Sequence, residues 1–241
     1  MNLTSSDLNK WFVCPRSTPR ASFRLFIFPH AGGGPAPFSK WSIPSTIEAW
    51  IAHYPGRGSR YKEPLVTRIN ALVDGLAEAI PPLLDKPFAF FGHSLGGLVA
   101  FELAKGKQPN ILFVSGCGAP SLPNPHPHIH RLPDSDFIDA LKKFNGIPDE
   151  VIANPEMMSL FLPVLRADFE AFENYQPNSH RLDCPIIALS GLDDSRVSRE
   201  QVEGWALHTE NSFESKYFAG DHFFITTANE TVLKFMEGKL R

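Results

Sequence analysis

Short apolar runs alternate along this chain with segments whose apolar residues recur every three or four positions. That alternation predicts an α/β fold, a mostly parallel sheet with helices on both faces. The runs that read as strands are Phe23 to Phe28, Trp50 to Tyr54, Phe88 to Phe91, Ile111 to Ser115, Ile186 to Leu189 and Lys216 to Phe218. Helical periodicity occupies Arg68 to Leu84, Leu95 to Lys105, Ser198 to Thr209 and Asn229 to Gly238. The alternation stops between Leu122 and Pro177. That stretch opens with prolines and histidines and then reads as helices with no strand between them: Asp134 to Phe144, closed by Gly146, and Glu156 to Tyr175, interrupted at Pro163. Residues 1–241 are therefore expected to form one domain carrying a helical insertion at about 122–177. Phe161, Leu165, Phe169 and Phe172 fall on one face of the second inserted helix, where such a stripe packs a core and is also placed to wall a pocket.

The run Phe88 to Phe91 leads straight into Gly92-His93-Ser94-Leu95-Gly96 and from there into a helical pattern. G-x-S-x-G alone is a weak signal, arising by chance in roughly one chain of this length in ten. Set between a strand and a helix, it meets the requirements of a nucleophile elbow, with the serine hydroxyl exposed at the sheet's end and glycines where neighbouring backbone must pass closely. Such a serine needs a base, an orienting acid and oxyanion donors, in the chain order Ser, Asp, His. The base candidate is His222, in Phe218-Ala219-Gly220-Asp221-His222-Phe223-Phe224, after the last strand. The acid comes from Ser190-Gly191-Leu192-Asp193-Asp194, after the strand ending at Leu189. The oxyanion donors are the Leu95 amide and one from His30-Ala31-Gly32-Gly33-Gly34, of which the Ala31 amide is favoured.

Other features narrow the field. The triple glycine lacks the G-K-[ST] ending of a P-loop and the spacing of a dinucleotide site, so no nucleotide is expected there. His93 points away from the nucleophile on an elbow and reads as a packing residue. His126, His128 and His130 alternate in a proline-rich segment with no cysteine or carboxylate at ligand spacing, which favours a solvated loop over a metal site. Cys14, Cys117 and Cys184 are odd in number and far apart, as reduced thiols are, with Cys117 and Cys184 expected to pack in the interior. A formal net charge of -3 gives no electrostatic case for nucleic acid or an anionic membrane. Met1 to Pro19 is polar and broken by prolines, unlike a signal peptide, and no apolar run approaches the ~18 residues of a membrane span, so a cytoplasmic protein is expected.

Five ordered segments carry a family resemblance: Phe28-Pro29-His30-Ala31-Gly32-Gly33, Tyr54-Pro55-Gly56-Arg57-Gly58, Phe91-Gly92-His93-Ser94-Leu95-Gly96-Gly97, Leu162-Pro163-Val164-Leu165-Arg166-Ala167-Asp168-Phe169 and Gly220-Asp221-His222-Phe223-Phe224. From Phe23 to Lys234 the chain resembles the type II thioesterases that accompany nonribosomal peptide and polyketide synthases, and it is similar to the medium-chain thioesterase of animal fatty-acid synthesis. The resemblance implies an α/β-hydrolase fold with a small helical lid. It also implies hydrolysis of acyl thioesters from the phosphopantetheine arm of acyl or peptidyl carrier proteins, in an editing role within antibiotic-type biosynthesis. The family's triad falls on Ser94, Asp194 and His222, Asp194 being the last residue of G-x-x-D. The chain departs from the family between the elbow helix and the next strand, where Ala104 to Pro109 runs almost directly into Ile111.

The chemistry fits a thioester in its own right. A thiol with a pKa near ~8.5 leaves as thiolate more readily than an alkoxide or amide anion, so a triad suffices without strong leaving-group protonation. No metal or redox cofactor is called for, since phosphopantetheine belongs to the substrate. The expected partner is a carrier protein met by a monomeric enzyme. A basic rim of Arg57, Arg60, Lys62 and Arg131 would guide an acidic carrier, and the inserted helices would move as a lid. Two other readings share these motifs: a small-molecule carboxylesterase or lipase, and a catalytically silent hydrolase-fold binding protein.

Overall fold

The computed structural model describes residues 10–143, 149–176 and 179–240. Phe144, Gly146 and Pro177, which bound the expected inserted helices, and the first nine residues lie outside the described residues. The strands are β1 (Phe12–Val13), β2 (Phe23–Phe28), β3 (Ile47–Ala52), β4 (Phe88–His93), β5 (Ile111–Ser115), β6 (Ile186–Gly191) and β7 (Phe213–Phe218). They form a seven-stranded sheet in the order β1-β3-β2-β4-β5-β6-β7, parallel except for the edge pair β1/β3. Every residue of β4 and β6 is buried, as central strands covered on both faces must be, which is why they read as continuous apolar runs.

The helices are α1 (Pro35–Phe38), α2 (Ile69–Ala79), α3 (Leu95–Lys107), α4 (Asp134–Lys142), α5 (Asp149–Ile152), α6 (Pro155–Glu173), α7 (Arg199–Glu203), α8 (Phe224–Thr227) and α9 (Asn229–Lys239). Leu72 and Leu76 of α2 and Val99 and Phe101 of α3 pack on one face of the sheet with Phe26 and Phe90. Val232 and Met236 of α9 cover the other face with Phe91 and Phe113. Between β5 and β6 the described residues hold α4, α5 and α6 and no strand, and their own apolar cluster joins Ile129, Phe137, Leu141, Leu165 and Phe169. Phe137 and Phe169 meet edge to face at 5.8 Å, a contact that adds ~1 kcal/mol to the area they bury.

Several boundaries differ from expectation. Pairing with β2 sets β3 at Ile47–Ala52, not Trp50 to Tyr54, and pairing with β6 extends β7 back to Phe213. The pattern at 198–209 is α7 followed by a 3₁₀ turn, Gly204–His208. Helix α2 stops at Ala79, ahead of a 3₁₀ turn that begins with Pro81 and Pro82. Pro163 does not interrupt α6, which runs unbroken for 19 residues. A proline removes one backbone hydrogen bond. Here Asn154 caps the helix by accepting from the Glu156 and Met157 amides, and the buried Val164, Leu165, Ala167 and Phe169 hold its second half to the protein. The short connection after the elbow helix is a left-handed cap at Gln108, φ 47°, from which Asn110 donates to the Phe88 carbonyl and enters β5.

Candidate active site

Ser94 sits between β4 and α3 with φ 54° and ψ −119°, a left-handed conformation that costs a non-glycine residue about 1–3 kcal/mol. Its amide donates to the Ser115 carbonyl at 2.8 Å, and its own carbonyl accepts from the Gly97 amide at 2.8 Å, so the turn is held from both sides. A Cβ on Gly92 would strike the Gly96 carbonyl, and one on Gly96 would strike the Phe28 carbonyl. The glycines of the motif are thus steric requirements of a strand turning sharply into a helix beside β2.

The loop after β7 carries His222 back over the sheet's end, and the loop after β6 carries Asp194. His222 Nδ1 donates to Asp194 Oδ2 at 2.9 Å, while Asp194 Oδ1 accepts from the Arg196 amide at 2.9 Å. Both side chains are buried. Burial pushes the Asp194 carboxyl up, but the hydrogen bond from His222, joined by those from the Arg196 and Val197 amides, outweighs it and holds the group below its ordinary value. Burial lowers the His222 pKa more than Asp194 raises it, so the imidazole is neutral near pH 7. Its Nε2 is buried and has no hydrogen-bond partner among the described residues, so the bond from Ser94 Oγ that proton transfer requires is not made in this conformation. His93 lies beneath, its ring 5.0 Å from that of His222 and its Nδ1 3.0 Å from Ser115 Oγ, a packing position as expected.

Two cavities meet at Ser94. The larger, about 880 Å³ with its open mouth, is bounded by His222, Asn124, Glu173, Tyr175 and Gln201. The smaller, about 450 Å³, is bounded by Ala31, Leu95, Leu141, Leu165 and Phe223. Phe169, Phe172 and Arg196 line both. Ala31 and Leu95 both border the smaller cavity beside Ser94, and Leu95, as the first residue of α3, has an amide with no partner inside its helix. Of the apolar stripe, Leu165, Phe169 and Phe172 reach the cavities. Phe161 does not: it is 38% exposed and borders neither.

The thioesterase domain family matches residues 23–240. The chain belongs to the thioesterase family. It is 41% identical to the gramicidin S biosynthesis protein GrsT of Aneurinibacillus migulanus over 245 residues, 98% of this chain and 96% of that protein. The structure of the type II thioesterase BorB, from the borrelidin biosynthetic cluster, matches with a TM-score of 0.88 at 30% identity over 100% of both chains. YbtT, the type II thioesterase of the yersiniabactin NRPS/PKS pathway, matches with a TM-score of 0.87 at 28% identity, covering 95% of this chain and 98% of that one.

Around this thioesterase's site, several sequence expectations need correcting. Arg57 and Arg60 are not rim charges. The Arg57 guanidinium forms a two-pronged pair with buried Asp168, at 2.7 and 2.8 Å. Arg60 is buried against Glu63, the His53 carbonyl and the Trp11 ring. Lys62 and Arg131 are exposed. The histidine segment is solvated only in part: His128 is exposed, whereas His130 is buried and His126 Nε2 donates to the Arg196 carbonyl at 2.9 Å. A carboxylate does reach it, since Glu173 of α6 brings His128, His130 and itself within 4.8 Å of one another. Of these three, Glu173 and His130 are committed to each other. Glu173 accepts from the Ile129 amide, the His130 amide and His130 Nδ1, while Arg131 Nε donates to His130 Nε2 and keeps a positive charge there. The pattern along the chain also missed His30, whose ring stands 5.7 Å from that of His93, and Arg196, which borders both cavities. Arg196 lies two residues past Asp194, so proximity to the acid was the available signal.

Proposed function

We propose that this thioesterase is a type II enzyme that clears acyl groups from the phosphopantetheine arm of carrier proteins. The observation that carries the proposal is a strained Ser94 sharing a cavity with a neutral, Asp194-bound His222 in a chain of this family. Ser94 Oγ attacks the thioester carbonyl while His222 Nε2 takes its proton, and the oxyanion forms between the Ala31 and Leu95 amides. The thiolate leaves and takes that proton from the imidazolium; His222, neutral again, then draws a proton from a water that attacks the acyl-enzyme, releasing the acid and returning the proton to Ser94 Oγ. Asp194 holds the imidazole with its proton on Nδ1 and stabilises the imidazolium. Serine, imidazole and amides complete this cycle without a metal or redox group.

The carrier as partner is supported by BorB and YbtT, both described as type II thioesterases of biosynthetic pathways or clusters. The wider cavity, the more polar of the two, suits the pantetheine arm, and the smaller, more apolar one suits the acyl group. No helix among the described residues is long and apolar enough to cross a membrane, which accords with a cytoplasmic site of action. The deciding experiment compares, side by side, one acyl group on a carrier protein, on a short thiol and as a p-nitrophenyl ester. Preference for the carrier is expected. Fastest turnover of the ester, with no gain from the carrier, would transfer the assignment to a small-molecule esterase.

A further inference from the structure

Helix α6 reaches the glycine-rich loop through a buried carboxylate. Asp168 Oδ2 accepts from the Gly32 amide at 2.7 Å and from Arg57 Nη1 at 2.7 Å, and Oδ1 accepts from Arg57 Nη2 at 2.8 Å. Arg57 Nη1 also donates to the Gly33 carbonyl at 3.2 Å, so carboxylate and guanidinium hold successive residues of the same loop. The Asp168 side chain is 1% exposed and that of Arg57 10%. One turn earlier in α6, Leu165 packs so closely on Gly32 that a Cβ there would collide with it, and Gly32 itself adopts φ +72°. The residue before this clamped glycine is Ala31, which borders the smaller cavity with Ser94 and Leu95.

We propose that Asp168 is a positioning residue for the oxyanion hole: with Arg57 it fixes the Gly32 peptide so that the adjoining Ala31 amide faces the carbonyl oxygen of the acyl group on Ser94. The proposal rests on the serine mechanism given above. Its physical basis is that a buried carboxylate must have its oxygens satisfied, and here they are satisfied by an amide of the catalytic loop and a guanidinium, so the loop cannot shift without stranding a charge. It also reassigns α6. Its C-terminal half is a fixed strut of the catalytic loop, not a lid that swings clear.

The test is Asp168→Ala, assayed with carrier-bound acyl substrate and with two inhibitors: an alkylboronic acid, which Ser94 captures as a tetrahedral anion, and the carboxylic acid product, which stays trigonal. Leu160→Ala, at a 72% exposed position of the same helix, is the control. Misplacing one donor should lower kcat on the order of 10²-fold, weaken boronate inhibition in parallel, and leave KM and product inhibition within about threefold of wild type. A purely structural role would lower the melting temperature of folded enzyme and leave kcat and boronate affinity in place, which would overturn the proposal. Should Asp168→Ala fail to fold, Asp168→Asn keeps an acceptor for Gly32 and loses the charge facing Arg57. A joint fall of kcat and boronate affinity then supports the clamp, and no change in either refutes it. If wild-type enzyme prefers p-nitrophenyl ester to carrier-bound thioester, the carrier assignment falls, while the same variants measured on that ester still decide the role of Asp168.

Discussion

His222 Nδ1 and Asp194 Oδ2 stand 2.9 Å apart, while the neighbouring Asp193 is exposed and engages the same loop through its backbone amide, which donates to the Gly220 carbonyl. The carboxylate that hydrogen-bonds His222 is thus Asp194, the one the family resemblance chose over its neighbour. Asp194→Asn should lower kcat/KM by up to ~10⁴ through the wrong histidine tautomer. Asp193→Asn should stay near wild type. Steady-state kinetics on both variants check this, and equal losses would place the orienting acid elsewhere.

Ser94→Ala should lose hydrolysis by a factor on the order of 10⁶, the scale seen for serine-protease nucleophiles, and His222→Ala should fall comparably. The backbone at φ 54° gives a second readout. Alanine inherits the strain and glycine does not, so Ser94→Gly should be more stable than Ser94→Ala by about 1 kcal/mol in urea unfolding. More than a few per cent residual turnover in either knockout, free of contaminating hydrolase, would refute the nucleophile.

The parallel sheet was legible because central strands buried on both faces leave unbroken apolar runs such as Phe88 to Phe91, and the triad because loops at the ends of those strands carry Ser94, Asp194 and His222. What escaped was everything set by pairing across long sequence separations. The two-residue β1 is too short to show a period, and only its antiparallel register with β3 defines it. Arg57 lies 111 residues from Asp168, so its guanidinium read as a surface charge until the fold closed around it. Pro163 read as a break because local chemistry disfavours it within a helix, and the packing of α6 on the catalytic loop outweighs that cost.

Burial, aided by the charge of His222, lowers the His30 pKa from 6.5 to about 4. The folded protein keeps this ring neutral between those values, whereas the unfolded chain binds a proton below pH 6.5. His30 therefore supports full stability above pH 6.5, and that contribution is lost as pH falls towards 4, by roughly 3 kcal/mol across the window. His93 and His222, also lowered, act in the same direction. His30→Phe, packed against Phe38 and Phe223, should give a shallower loss of stability between pH 6.5 and 4.5 in urea titrations. A slope equal to that of wild type would show that His30 is protonated in the folded state.

The last prediction concerns which cavity takes the acyl chain. Leu141 is 3% exposed and borders only the smaller cavity, where Ala31 and Leu95 adjoin Ser94. Asn124 borders only the larger one, whose lining is the more polar of the two. An acyl chain gains ~0.8 kcal/mol for each methylene taken from water, so it belongs where the walls are more apolar, and the amide-rich pantetheine arm belongs in the larger cavity, where the Asn124 amide lies. Leu141→Ala lengthens the smaller cavity and should raise kcat/KM for hexanoyl over acetyl carrier protein by about tenfold, within the discrimination of roughly 1–3 kcal/mol that a few methylenes can supply. The same change costs about 2–5 kcal/mol of stability, so assays belong well below the melting temperature. Asn124→Ala should leave the hexanoyl-to-acetyl ratio in place and weaken binding of any substrate that carries the full arm relative to one on a short thiol. If Asn124→Ala shifts the chain-length ratio and Leu141→Ala does not, the two cavities hold the opposite ends of the substrate.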